Sequence, residues 1–316
     1  MKEIGGYFEL ELQQGEHCHK NAIKLNTARN CLEYILKAKE YKKIYIPYYT
    51  CEAILEPIKK CKVDYEFYNI NRKFEPIKEY KLSDNKAFLY VNYFGLKQDA
   101  VAYLANCYGA NLIVDNSQAF YAEPIEKIDT FYSARKFFGV ADGAYLYTNK
   151  YLEENFEQDI SYERMSHLLR RIDTGAESGF EDFRRNDSAL INQPIKKMSK
   201  LTEKILKSID YKNIKEIRQR NYDFIHNRLK IKNSLDFLLN ENDVPMIYPF
   251  FAEQNNLKQK LIQNKIFVAT YWPNIFSWCD EGSVEYLFAK NTVFLPVDQR
   301  YNSSALNKIM EVICEN

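Results

Sequence analysis

The chain is 316 residues long, about twice the ~150 residues typical of one domain, so one large or two unequal domains are expected. Hydrophobic residues at 46% and charged residues at 28%, with only 10 Gly and 9 Pro, exclude collagen-like, low-complexity and largely disordered chains. Lys+Arg 44 against Asp+Glu 43 gives a formal charge of +1, so no global field recruits nucleic acid or an anionic membrane, and any anion must be held locally.

From Asn26 to Lys39 the apolar residues Cys31, Leu32, Ile35 and Leu36 recur at helical spacing, with Asn26 or Thr27 available as the cap. The run Ile44 to Pro47 then reads as a strand, Glu52 to Lys60 as a helix, Val63 to Tyr68 and Ala87 to Asn92 as strands, and Gln98 to Tyr108 as a helix. Strands are again expected at Asn111 to Asp115, Asp129 to Ser133 and Ala144 to Thr148. Such alternation predicts an α/β fold with a mainly parallel sheet covered on both faces. Glu153 to Asp187 is charge-rich and poorly periodic, which reads as a surface excursion or an arm reaching another chain. After Met198 one long amphipathic helix is expected to about Leu229. A smaller β/α set follows, from Met246 to Phe251, Leu257 to Gln263, Phe267 to Thr270, Val293 to Leu295 and Ser304 to Ile313. A large domain is therefore expected over residues 1–210 and a small one over 211–316.

No apolar run approaches the ~20 residues that span a bilayer, and Met1 to Gly6 carries no secretory pattern, so a cytoplasmic protein is expected. The seven Cys are scattered without a Cys-x-x-Cys pair, and of the four His only His17 and His19 are close. Neither a disulfide framework nor a metal site is expected.

Ligands of open parallel sheets sit at the carboxyl ends of the strands, which directs attention to four polar segments. Asn26-Thr27-Ala28-Arg29 opens a helix, where free amides and the positive dipole end suit a phosphate; an ordinary N-cap is the plainer use of the same residues. Tyr48-Tyr49-Thr50-Cys51 follows a strand with aromatic rings. Asp115 ends an apolar strand, as a turn-capping carboxylate or as a partner for a cation, with Gln118 three residues on. Ser133 and Lys136 stand at S-x-x-K spacing. That spacing also occurs in serine acyl-enzymes, but their Ser-Asp-Asn and Lys-Thr-Gly strings are missing here. Together the segments offer a phosphate cradle, a ring, an acid for a ring nitrogen and a lysine for an aldehyde, which is the donor set of a pyridoxal phosphate site.

With these residues the chain resembles the DegT/DnrJ/StrS-like aminotransferases, fold-type I pyridoxal phosphate enzymes that mostly act on keto sugars attached to nucleotides. Leu25 to Leu32 is similar to that family's phosphate-binding helix start, Ile46 to Thr50 to its strand-Pro-aromatic segment, and Val91 to Gly95 to its Tyr-Gly turn. Val114 to Ala119 resembles its Asp-x-x-Gln element, and Phe131 to Lys136 with Asp142 to Leu146 its lysine and Gly-containing strand. The resemblance implies a large domain with a mostly parallel sheet, a smaller C-terminal α/β domain, and a homodimer with the active site near the interface, which Glu153 to Asp187 would cross. It implies Lys136 as the lysine that attaches pyridoxal 5′-phosphate and moves the proton, and Asp115 at the ring nitrogen. Gln118 would sit at the ring hydroxyl, Thr27, Ala28 and Ser133 at the phosphate, and Tyr49 would stack on the ring, with Tyr48 as the other candidate. The implied reaction moves an amino group from glutamate or glutamine to a nucleotide-linked keto sugar, in surface polysaccharide or amino-sugar biosynthesis.

The chain departs from that pattern in four places. Gly143-Ala144 replaces Gly-Gly, the Ser-Phe-His lead is missing, Ile195-Lys196-Lys197-Met198 replaces Asn-x-Arg-Met, and Cys51 stands where some relatives place Trp. Lysine rather than His at position 136 argues against the sugar dehydratase branch. Two other uses of the fold stay open, another pyridoxal phosphate reaction and a non-catalytic regulatory or scaffold protein. Arg164, Arg170, Arg171, Arg184 and Arg185 could face a nucleotide diphosphate or form a solvated or intersubunit surface.

Overall fold

Short runs of apolar and β-branched residues bounded by polar turns make the strands, and the amphipathic segments between them make the covering helices. The computed structural model describes residues 4–237, 239–251 and 256–314. Its first half contains β1 (Ile23–Leu25), α1 (Ala28–Lys39), β2 (Lys43–Pro47), α2 (Leu55–Lys60), β3 (Asp64–Tyr68), β4 (Lys86–Val91), α3 (Gln98–Tyr108), β5 (Leu112–Asp115), β6 (Asp129–Ser133) and β7 (Ala144–Tyr147). The strands form one sheet in the order β1-β7-β6-β5-β4-β2-β3. Strands β2 to β6 are mutually parallel, whereas β7 runs antiparallel to both β6 and β1. The fold is thus the expected α/β fold with a mostly parallel sheet. Its central strands are buried almost throughout, which is why they read as continuous apolar runs rather than as alternation. Strand β1 has no counterpart among the expected elements, because three residues are too few for a periodic signal and it exists by pairing with β7.

The charge-rich stretch is more ordered than its sequence suggests. It holds α4 (Ser166–Asp173) and the start of α5 (Phe180–Ala189), whose exposed faces carry the charge. The single long helix expected to Leu229 is two, α6 (Lys200–Lys207) and α7 (Tyr211–Leu229). The side chain of Asp210 accepts from Asn213 N at 3.0 Å and starts a new helix there, a capping signal that amphipathic periodicity hides.

Beyond α7 lie β8 (Ile247–Phe251), α8 (Leu257–Gln263), α9 (Ile275–Trp278), α10 (Val284–Asn291), β9 (Thr292–Pro296) and α11 (Ser303–Cys314), with β8 and β9 paired antiparallel. The strand expected at Phe267 to Thr270 does not form. Ile266 and Val268 are buried and Phe267 is exposed, so the in-out alternation is real, but no neighbouring strand among the described residues supplies a ladder. No helix among the described residues is long and apolar enough to cross a membrane.

Candidate active site

Register places the site. Ser133 on β6 pairs with Ala144 on β7, and Ala144 pairs with Leu25 on β1, so a single row across three strands ends beside Thr27, Gly143 and the turn that carries Lys136. On the other side of β6, Asp115 at the end of β5 pairs with Phe131. One cavity is consequently lined by Thr27, Ala28, Asp115, Ser133 and Lys136.

Each of these side chains is held by local structure. Thr27 is the N-cap of α1: its Oγ1 accepts from Asn30 N at 3.1 Å and donates to Asn30 Oδ1 at 2.6 Å. Its hydroxyl is therefore committed to the cap, and the helix's contribution to the cavity is its first-turn N–H groups and positive dipole end. Asp115 Oδ1 accepts from Ser117 N at 2.8 Å, which closes the turn after β5. Burial pushes the Asp115 carboxyl above its ordinary value, against the pull of the nearby Lys136 charge and the Ser117 bonds. Lys136 is exposed to the cavity at the end of the turn Ala134–Lys136.

The rim opposite α1 needs its glycine. Gly143 has φ +113°, and a Cβ there would stand 2.9 Å from Thr202 Cγ2. Asp142 beside it is fully buried and accepts from Ser199 N at 2.8 Å, Ser199 Oγ at 2.7 Å and Thr202 Oγ1, tying the start of α6 to the site.

Two expected ring contacts are not brought to the cavity. Tyr49 is fully buried among Phe74, Tyr93, Trp272 and Phe288, while Tyr48 stacks on Phe67 with ring centroids 4.6 Å apart. The bond from Thr50 N to Tyr48 O at 2.9 Å turns the chain after β2, so Thr50 and Cys51 face the cavity and Tyr49 faces the core. Phe131 is the aromatic residue in the lining. Gln118 also lies outside the lining. Its Oε1 accepts from Phe94 N at 3.0 Å, and its buried Nε2 has no partner among the described residues.

Other candidates are engaged elsewhere. Arg164 pairs with Asp159 at 2.7 Å, Arg170 and Arg185 with Asp182, and Arg184 with Glu181 at 3.5 Å. Of these pairs Arg170 with Asp182 joins α4 to α5, and no arginine of that cluster lines the cavity. His17 bonds Tyr145 Oη at 2.7 Å and His19 bonds the Phe120 carbonyl at 2.8 Å, so both serve the core. Among the described residues no group of three His, Cys, Asp or Glu is arranged to hold a metal. Arg29 and Arg135 also line the cavity; both lie within the polar segments that the sequence points to, Asn26 to Arg29 and Ser133 to Lys136, but the sequence assigns neither a role.

No protein-family model matches the chain, and no curated protein matches it in sequence. Solved structures do match in fold. A DegT DnrJ EryC1 StrS aminotransferase from Brucella abortus superposes with a TM-score of 0.61 at 14% identity, over 93% of this chain and 85% of that one. The sugar aminotransferase CalS13 from Micromonospora echinospora gives 0.59 at 12% identity, over 93% and 87%. NtdA from Bacillus subtilis with bound cofactor PMP gives 0.65 at 14% identity, over 93% and 72%. The chain thus has the fold of the fold-type I sugar aminotransferases, as its residues led us to expect.

Proposed function

We propose that this chain is a pyridoxal phosphate-dependent aminotransferase that moves an amino group from glutamate or glutamine to a nucleotide-linked keto sugar. The observation that carries the reading is that Lys136 and Asp115 share one cavity with the start of α1. Solved structures of this fold include a sugar aminotransferase and a chain with bound PMP, which supports both the substrate class and the cofactor. The donor set fits the cofactor: a primary amine, a half-buried carboxylate, first-turn amides and a serine hydroxyl line the same space. The aromatic stacking partner is the one element of the set that the cavity does not supply through Tyr49.

Bound there, pyridoxal phosphate supplies an aldehyde for amine exchange and a ring that withdraws electrons from the substrate carbon. Lys136 Nζ is the amine that would hold the aldehyde, and the same nitrogen would be the base positioned to move a proton at the reacting carbon. Asp115 holds a proton on a ring nitrogen, and a cationic partner there relieves the cost of burying its carboxylate. Thr27, Ala28 and Ser133 bind the phosphate end and fix orientation. The assembly we propose is a twofold dimer, because Leu169 and Ile172 on α4 and Phe180 and Phe183 on α5 are large apolar side chains left exposed, which a partner would cover. Sedimentation at micromolar concentration should give the dimer mass, and a monomer would contradict it.

The reaction is tested by absorbance. The cofactor-loaded protein should show a visible band that bleaches with glutamate and returns when a nucleotide-linked keto sugar is added. A band that no amino acid bleaches would exclude transamination, and recovery with simple keto acids alone would exclude the sugar substrate.

A further inference from the structure

Two guanidinium groups converge on one wall of the cavity beside the positive end of α1. Arg29 belongs to the first turn of α1, and Arg135 lies between Ser133 and Lys136. Each is only about one-fifth exposed, with side-chain accessibility of 19% in both cases. Like charges held this close to a helix N-terminus repel one another and the dipole, at a cost that solvent screens little in a partly buried site.

The protein compensates this charge only in part. Arg29 donates to the Leu190 carbonyl at 3.1 Å and has Glu56 at 3.7 Å, beyond hydrogen-bond length. Arg135 Nη2 donates to Asp187 Oδ1 at 3.1 Å, and Asp187 is half exposed at the cavity edge. A guanidinium has five N–H donors, and among the described residues the other donors of both groups have no acceptor. Burial and the neighbouring Arg29 charge both disfavour the charged form of Arg135, and Asp187 opposes them. Two partly satisfied forks, a serine hydroxyl and first-turn amides around one space match a tetrahedral dianion better than a planar monoanion.

We infer that Arg29 and Arg135 form a phosphate subsite at the start of α1, with Asp187 as the counter-charge that a bound phosphate displaces. The inference deepens the proposed function and rests on it for the identity of the ligand: the phosphate is the cofactor's own, with a phosphate of the nucleotide-linked substrate as the other source of the same chemistry. The roles of the two arginines are binding and positioning; neither exchanges a proton in the reaction.

The test is a calorimetric titration of the full-length protein with inorganic phosphate at fixed ionic strength. The wild type should show one saturable site, and Arg29→Gln and Arg135→Gln should each weaken it by roughly tenfold or more, the equivalent of one charge-assisted contact. Asp187→Asn should tighten binding, a gain that misfolding does not produce, so the result stands even where Arg135→Gln fails to fold. Absence of a saturable site, or equal binding by wild type and Arg29→Gln, overturns the inference.

The source is read from the visible absorbance formed with pyridoxal 5′-phosphate and with pyridoxal. A preference for the phosphorylated form that falls in Arg29→Gln by the same factor as phosphate binding supports the cofactor's phosphate. An unchanged preference overturns that source and leaves the substrate's phosphate. A wild type that takes up neither compound overturns the proposed function, while the phosphate titration still decides the subsite.

Discussion

A half-buried carboxylate that faces a cavity and is stripped of water costs the ligand-free protein stability, and Asp115 is such a group. Its carboxyl titrates above the ordinary Asp range, so the folded state holds the proton more tightly than the unfolded state. The stability linked to that proton is fully present below the unfolded value near ~3.9 and is lost as pH rises through the raised folded value. Asp115→Asn should therefore raise Tm in the ligand-free protein at pH 7, with the gain vanishing near pH 3, while turnover falls by roughly a hundredfold or more. Thermal melts at the two pH values check the sign, and a lower Tm at pH 7 would contradict it. At this scale Asp115, Ser133 and Lys136 were legible because each is a polar residue at or just past the end of an apolar strand. Tyr49 was misread because one tight turn after β2 decides which of two neighbouring rings faces the core, and nothing in the tetrapeptide Tyr48-Tyr49-Thr50-Cys51 encodes that choice. Arg29 and Arg135 fall inside the polar segments but carry no role in the sequence, because arginine beside a motif is ordinarily solvated.

The site depends on how three elements meet at their ends. The cap on α1 fixes where its first turn points, and Asn26 locks the same end to the segment that precedes α6, with its N–H donating to the Lys196 carbonyl at 2.9 Å and Nδ2 to the Pro194 carbonyl at 3.1 Å. Thr27→Ala removes the side-chain acceptor for Asn30 N and should cost about 1 kcal/mol in urea denaturation, with weaker cofactor binding because the first-turn amides lose their orientation. An unchanged midpoint would remove Thr27 from the cap. Asp142→Ala should cost more, about 3 kcal/mol, because it strands three donors that are otherwise satisfied at the start of α6. The helix α1 was readable to within two residues from its apolar period and cap. The break between α6 and α7 was not, since Ser208-Ile209-Asp210 contains no Gly or Pro and the apolar stripe runs across it. Nor was the missing strand at Phe267 to Thr270, because alternation reports burial on one side and not the presence of a partner strand.

Across the whole molecule, the turn that carries Lys136 is fastened to the C-terminal elements. Gln299 Nε2 donates to the Phe137 carbonyl at 2.8 Å, and Arg218 on α7 lies over the Phe137 ring at 4.5 Å. The same guanidinium, almost wholly buried, donates to the carbonyls of Pro245 and Met246 and to Gln299 Oε1, each at 3.1 Å. Arg218→Met should lower stability by about 3 kcal/mol, since the carbonyls it serves lose a charged donor and Asp298 loses a neighbouring cation. A loss below about 1 kcal/mol in denaturant titration would show that this junction is not held through Arg218. The large-scale architecture was legible because alternating strands and helices admit few arrangements, whereas a junction built on one buried arginine leaves no periodic trace. The central claim is that Lys136 attaches the cofactor. Borohydride reduction of the protein with pyridoxal 5′-phosphate, followed by peptide mass mapping, should place the label on Lys136 and leave Lys136→Ala unlabelled at the site; a label on Lys150, Lys197 or any other lysine would contradict the account.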